Sequence, residues 1–423
     1  MRSDPAAANM YLHNGADYAA RASTLIDQLI NDHDPKYGVG SLTCSVYDTA
    51  WVAMVIKNVD EQRRWLFPSS FEYLLNHQQH DGGWQTSSSD ADGILNTLAA
   101  LLAFCRHIGY PLQLRPPEDL RHRMDRAVYF LETKFAKCDV ESTITATLQP
   151  FFTRLLQLLE QEGITFSFPG KEVLVHERGR KTANHSLAAL YSATRTSAAH
   201  NLESRFGEVD FNRVEQHKIC GSMMASPAAT AAYLMGRTCW DDEAEAYLHH
   251  IIFVGDGKSV GGVPSKFPTT VFEVTRVIST LLENGFTPQD LGARELDNAC
   301  GFLYDCLQLE SGVTGFAPYV ESDADNTAQA ISALCLLGRT VSPEGLMNRY
   351  ETRESFKTYS EDRNPSFRTN CHVLQALLDL LPGNNQQMTQ IEKCVKFICS
   401  SWWTTNGQVE DQLVSGKAWG DSE

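Results

Sequence analysis

"LLNHQQHDGGWQ", residues 74–85, is the stretch on which the reading of the fold turns. A helix-forming run ends in two glutamines and is stopped by Asp-Gly-Gly-Trp. The glycines permit left-handed backbone at the helix exit, and Trp84 is placed to fold back against a stack of helices. Alone, the motif is equally an ordinary glycine-rich turn with a packed tryptophan. A weaker echo at 307–319, "LQLESGVTGFAPY", sets Gln308, Gly315 and Phe316 in the corresponding places, and "SSWWTTNGQ" at 400–408 is weaker still. Echoes in separate halves suggest two related helical domains.

Outward from that motif nearly everything reads as helix. In "ADYAARASTLIDQLIND" (16–32), Ala19, Ala22, Leu25, Ile26 and Leu29 recur at three- and four-residue steps, which is the period of one helix face. Further segments such as "ILNTLAALLAFCRHI", "LQPFFTRLLQLLEQEG", "TTVFEVTRVISTLLENGF", "NTAQAISALCLLG" and "NCHVLQALLDLLPG" repeat the style between Gly, Pro or Asp punctuation. Strand-like alternation is hardly visible. The expectation is an all-α fold of short paired helices: a bundle, a solenoid or an α/α barrel.

Composition narrows the function. The chain has 423 residues, 43% hydrophobic and 21% charged, as in ordinary globular proteins, with room for two or three domains. Its formal net charge is −16 with no clustered Lys or Arg, which disfavours nucleic acid and anionic lipid as partners. Eleven cysteines without a C-x-x-C pair fit a reduced compartment, and neither an apolar leader nor an 18-residue apolar run is present, so a cytoplasmic location is expected.

At 321–338, "ESDADNTAQAISALCLLG" crowds carboxyl groups against a helix start. Spacing alone makes Asp323, Asp325 or Asn326 a helix cap. Set beside "YGVGSLTCSVYDTAWVAMV" (37–55), "WLFPSSFEYLLNHQQHDGGW" (65–84), "FSFPGKEVL" (166–174), "GSMMASPAATAAYL" (221–234), "FEVTRVISTLLENGF" (272–286) and "NPSFRTNCHVLQAL" (364–377), it resembles the class II terpene cyclases, in particular the copalyl diphosphate synthase portion of fungal diterpene synthases.

That resemblance implies two α/α-barrel domains of the β and γ type, γ inserted into β, with the substrate between them. The β domain would take residues 15–42 and 256–423, and the γ domain 43–255; no DDxxD-bearing class I domain is expected. The implied reaction is protonation-initiated cyclisation of geranylgeranyl diphosphate, or of the shorter farnesyl diphosphate, to a bicyclic copalyl-type diphosphate. Asp325 would be the general acid of an Asp-x-Asp-Asp motif, with Asp323 helping it keep its proton. Asn326 departs from the family's aspartate. Asn370 either orients Asp325 or caps its own helix, and His372 is either a terminating base or a structural residue.

The retained diphosphate implies Mg²⁺, for which Asp139 and Glu141 in "CDVEST" are candidates, and basic partners, for which Lys171, Arg178, Arg180 and Lys181 are candidates. Gln149 stands near a position where the family carries Glu. Trp51 is a substrate-side ring or a domain-core anchor. Asn326, Gln149 and the short stretch after Asp325 leave a second expectation open: a truncated or impaired homologue that binds prenyl diphosphate, or a protein partner, without turnover. A zinc-dependent protein prenyltransferase subunit, also an α/α barrel, lacks a convincing Asp, Cys and His set.

Overall fold

The computed structural model describes residues 5–31, 34–85, 89–137, 144, 148–172, 174, 187–193, 195–254, 260–360, 362, 364–381, 387–405 and 407, with side chains from 17 onward. The described chain is predominantly helical. In order, α1 (Pro5–Asn31) is followed by α2 (Val46–Ala53), α3 (Pro68–His77), α4 (Asp90–Gly109), α5 (Leu120–Lys137), α6 (Gln149–Gln161), α7 (Leu187–Leu190), α8 (Pro227–Gly236) and α9 (Asp242–Val254). The remainder is α10 (Thr270–Glu283), α11 (Pro288–Leu291), α12 (Ala293–Leu309), α13 (Ala324–Leu336), α14 (Glu344–Tyr350), α15 (Phe367–Asp379) and α16 (Met388–Thr404). None of the described helices is long and apolar enough to cross a membrane.

Two compact units divide the chain. One comprises the described residues of Met1–Gly40 and Pro268–Val414, the other Ser41–Phe267. The sequence reading placed residues 41 and 42 with the first unit and began its return at 256. The structure instead keeps 260–267 in the second. Cys44–Ser45 pairs antiparallel with Val263–Pro264, Ser70 Oγ donates to the Gly261 carbonyl at 2.7 Å, and Phe267 N donates to the Ala225 carbonyl. Those bonds close the second unit's chain entry against its exit.

In the first unit, Ala22, Ile26 and Leu29 of α1 pack with Val271, Val274 and Ile278 of α10, with α12, and with Ala330, Ala333 and Leu334 of α13. Leu25, expected on that face, is 46% exposed. At 100° per residue it lies at the edge of a stripe centred on Ala22, Ile26 and Leu29. A second cluster joins α13 to α14, α15 and α16 through Ala328, Ile331, Tyr350, Val373, Leu377 and Cys394.

The DGGW turn behaves in the second unit as the wedge its sequence suggested. Trp84 is 1% exposed, and its indole Nε1 donates to the Leu74 carbonyl at 3.0 Å. Gly82 has φ +94°, and a Cβ there would lie 2.4 Å from the Arg126 carbonyl oxygen. The echo at 307–319 likewise buries Phe316, whose carbonyl accepts from Val271 N and Phe272 N at the start of α10. The third echo fails: Trp402 and Trp403 are 49% and 76% exposed at the end of α16.

A hairpin escaped the sequence reading. Ile56–Val59 and Gln62–Trp65 form an antiparallel hairpin whose turn residues, Asp60 and Glu61, both have positive φ. That is the two-residue turn whose twist matches paired strands.

Between hairpin and helices, the buried His107 ring stacks on Trp65 and Phe71 at 3.8 Å, and its Nε2 donates to the Ala53 carbonyl at 2.9 Å. Burial lowers its pKa to about 4. The folded state therefore binds that proton less readily than the unfolded chain. Its contribution is fully present above the unfolded value near 6.5 and is lost as pH falls toward 4.

Two outcomes are expected. Gly82→Ala should cost about 2 kcal/mol or more in urea unfolding, because strained φ and backbone collision combine. Wild-type stability should fall by about 3 kcal/mol between pH 6.5 and pH 4 from His107, and His107→Gln, which cannot titrate, should flatten that slope.

Candidate active site

The start of α13 is fastened from both sides. Asp323 is its N-cap: Oδ1 accepts from Asn326 N at 2.7 Å and Oδ2 from Asn326 Nδ2 at 2.9 Å. The Thr327 hydroxyl donates to the Asp323 carbonyl at 2.6 Å, Asp323 N to the Thr314 carbonyl, and Ala324 N to the Thr358 carbonyl. Asp323 is 1% exposed. It is thus a capping carboxylate that accepts from Asn326 through both of its oxygens. Asn326 supplies permanently a hydrogen that a carboxyl group there would hold only when protonated.

Asp325 sits in the same first turn with its side chain 20% exposed. Its Oδ1 accepts from His372 Nδ1, on α15, at 2.5 Å. On the far side of that ring, Nη2 of Arg276, from α10, approaches His372 Nε2 at 3.5 Å. A guanidinium can only donate, so Nε2 is the accepting nitrogen and Nδ1 carries the hydrogen aimed at Asp325. Three helices, α10, α13 and α15, thus converge on one carboxyl group.

Burial favours the neutral form of Asp325 but is outweighed. The hydrogen bond from His372, then the charges of Arg368 and Arg276, hold its carboxyl below the usual carboxylate range. Nearby, burial together with Asp323, Glu321, Asp362 and Asp325 pushes the Tyr359 phenol well above its ordinary value, which keeps a hydroxyl donor among the carboxylates.

Asn370 does not do what the sequence suggested. It is wholly buried, its Nδ2 donating to the carbonyls of Phe356 at 2.8 Å and Ser366 at 2.7 Å while its Oδ1 accepts from Phe356 N at 2.9 Å. Both amide hydrogens are used on backbone, so Asp325 is oriented by His372 instead. Residues two apart on a helix point about 200° apart, and the choice between them was a choice of face.

In the second unit, Lys171 is tied to Glu160 Oε1 at 2.7 Å and to the Phe166 carbonyl at 2.9 Å, so its charge already has a partner. Trp51, 1% exposed, meets Phe206 edge-on with ring centroids 5.7 Å apart. The Asp of "YDTAW", Asp48, is wholly buried and structural: Oδ2 accepts from Ser45 Oγ at 2.7 Å, and Oδ1 accepts from Ala228 N at 3.3 Å. Gln149 donates to the Leu174 carbonyl at 3.1 Å. Asp139, Glu141, Arg178, Arg180 and Lys181 lie outside the described residues. Among the described residues, no group of three or more His, Cys, Asp or Glu side chains could hold a metal ion.

The chain is 40% identical to copalyl diphosphate synthase of Talaromyces verruculosus over 399 residues, 94% of its own length, and 41% identical to phyllocladan-16-alpha-ol synthase of Phomopsis amygdali over 395 residues, 92% of its own length. The chain is a homologue of the class II diterpene cyclases. It spans only 41% and 39% of those two relatives. The fold of ent-copalyl diphosphate synthase from Arabidopsis thaliana, solved with (S)-15-aza-14,15-dihydrogeranylgeranyl thiolodiphosphate, superposes with a TM-score of 0.73 at 20% identity, covering 95% of this chain and 54% of that one. No protein-family model matches the chain.

The capping pair of this cyclase homologue yields a prediction. Asn326→Asp would set a second carboxyl against Asp323 Oδ2, and the two would have to share one proton. The variant's pKa at 326 is therefore raised. Its stability should match wild type at acid pH and fall below it by about 1–3 kcal/mol as pH rises to 7, read from thermal melts across pH.

Proposed function

We propose that the chain carries out protonation-initiated cyclisation of geranylgeranyl diphosphate to a bicyclic copalyl-type diphosphate, with the diphosphate retained. The observation that carries this reading is the Asp325 carboxyl group, held by His372 with Arg276 behind the ring, at the head of a helix in a chain homologous to a copalyl diphosphate synthase. The prenyl-diphosphate class is supported by the analogue bound in the Arabidopsis enzyme. The division into a discontinuous first unit and a continuous second one supports the β and γ barrel arrangement with γ inserted. A cytoplasmic location is part of the same proposal.

An alkene is a very weak base, so its protonation calls for a strong acid whose conjugate base is stabilised in place. In the forward step the Asp325 O–H bond breaks and its hydrogen forms a C–H bond at the terminal alkene. The resulting carbocation closes two rings, and loss of a different proton restores neutrality, so the reaction is an isomerisation. His372 Nδ1–H and the charges of Arg276 and Arg368 stabilise the carboxylate left behind. The same groups make the neutral acid scarce at neutral pH, and the reactive form grows as pH falls.

Mg²⁺ remains a proposed companion of the diphosphate, a hard cation suited to phosphate and water oxygens. The described residues do not assemble a site for it, and no step depends on it. The ionised state of Asp325 also favours a second reading, a homologue that binds prenyl diphosphate without turnover.

Incubation with geranylgeranyl or farnesyl diphosphate and Mg²⁺, followed by dephosphorylation and gas chromatography with mass spectrometry, decides between them. A bicyclic alcohol supports cyclisation; binding without product supports the second reading. Asp325→Asn should lower the rate by about 10³-fold or more. The wild-type rate should rise by up to about tenfold for each unit that pH falls between 8 and 6, because Asp325 titrates below that window.

A further inference from the structure

The second unit contains a cavity that the proposed chemistry does not use. It encloses about 430 Å³, within the size range of small-molecule sites, and every residue lining it belongs to Ser41–Phe267. Its floor is apolar and closed: Trp51, Leu102, Leu158 and Leu234 are each at most 2% exposed. Its rim carries Lys57, Arg63, Arg106 and Arg237 and no acidic side chain, in a chain with 52 acidic and 36 basic residues.

The four bases differ in what they already hold. Arg106 Nε meets Glu162 at 2.8 Å, Arg237 Nη1 meets Glu215 at 3.0 Å, and Lys57 pairs with Glu245. Those carboxylates do not line the cavity. Each guanidinium keeps further N–H groups for a ligand. Arg63 has no carboxylate partner among the described residues; it lies over the Tyr110 ring at 5.4 Å, on the hairpin that forms one wall. It is the rim charge most available to an incoming anion.

We infer that this cavity binds an amphipathic anion, a hydrocarbon chain ending in a phosphate or diphosphate, with the chain on the Trp51 and Leu102 floor and the head at Arg63. A neutral hydrocarbon would leave the cationic rim unused, and a free phosphate would leave the apolar floor empty. An isoprenoid diphosphate has both parts. The inference in that form rests on the proposed substrate class and makes the cavity a second site for it, built without Asp325. Straight-chain alkyl phosphates share the chemistry and distinguish a general amphiphile site from an isoprenoid one.

The test is isothermal titration calorimetry on the full chain carrying Asp325→Asn, so that binding is read without turnover. Farnesyl diphosphate, dodecyl phosphate, inorganic diphosphate and farnesol are the probes. Arg63→Glu, on an exposed strand, and Leu102→Trp, which fills the floor, are the variants, with circular dichroism to confirm folding. The expected result is that farnesyl diphosphate binds more tightly than farnesol or inorganic diphosphate, and that Arg63→Glu weakens a binding component by about tenfold or more. Leu102→Trp should remove the same component. Dodecyl phosphate binding equally well widens the ligand class to alkyl phosphates; weak dodecyl phosphate binding confines it to isoprenoids. Arg63→Glu leaving all binding unchanged overturns the inference whatever becomes of Leu102→Trp, and so does farnesol binding as tightly as farnesyl diphosphate. Failure of cyclisation appears separately, as absence of product from the wild-type chain.

Discussion

The hydrogen bond between His372 and Asp325 joins helices that are distant in sequence and sets the chemical character of the site. For the bond to form, α13 must begin where Asp323 caps it and α15 must present His372 rather than Asn370 toward it. Arg276 must also stand behind the ring to select the tautomer. Two aspartates only two residues apart therefore have separate duties: Asp323 satisfies backbone and Asn326, while Asp325 faces His372. The helix start that looked overloaded with acid is one cap and one carboxyl group turned to His372.

The same arrangement contains a tension. The groups that would stabilise the carboxylate after proton transfer also stabilise it before. Burial alone would keep the acid neutral, and the imidazole and guanidinium contacts reverse the outcome. An acid tuned this way is strong when protonated and seldom protonated, which would tie the proposed proton transfer to pH. Tyr359, held as a phenol among the carboxylates, adds a hydroxyl to the cluster without adding charge.

Much of this was legible in the sequence because it rests on local rules. Amphipathic spacing located the helices, and the DGGW turn announced a buried tryptophan, since glycine is required where the backbone turns left-handed against Arg126. What was not legible depends on which face of a helix turns inward. Asn370 and His372 are equally polar and two residues apart, and only packing decides that the amide is consumed by Phe356 and Ser366 while the imidazole reaches Asp325. Arg276, a lone cation in the apolar run "FEVTRVIST", was the available signal: a half-buried guanidinium needs a partner, and α13 and α15 supply its surroundings. Leu25, Trp402 and Trp403 mislead in the opposite direction, because an apolar residue at a stripe edge or helix end need not be buried.

The central claim is that Asp325 delivers a solvent-derived proton to the far end of a prenyl chain. Mass analysis of the product formed from geranylgeranyl diphosphate in D₂O tests it most directly. The account predicts a bicyclic product carrying one deuterium per molecule from the wild-type chain and no such product from Asp325→Asn. A bicyclic product without deuterium, or equal labelling from the Asp325→Asn chain, would contradict it.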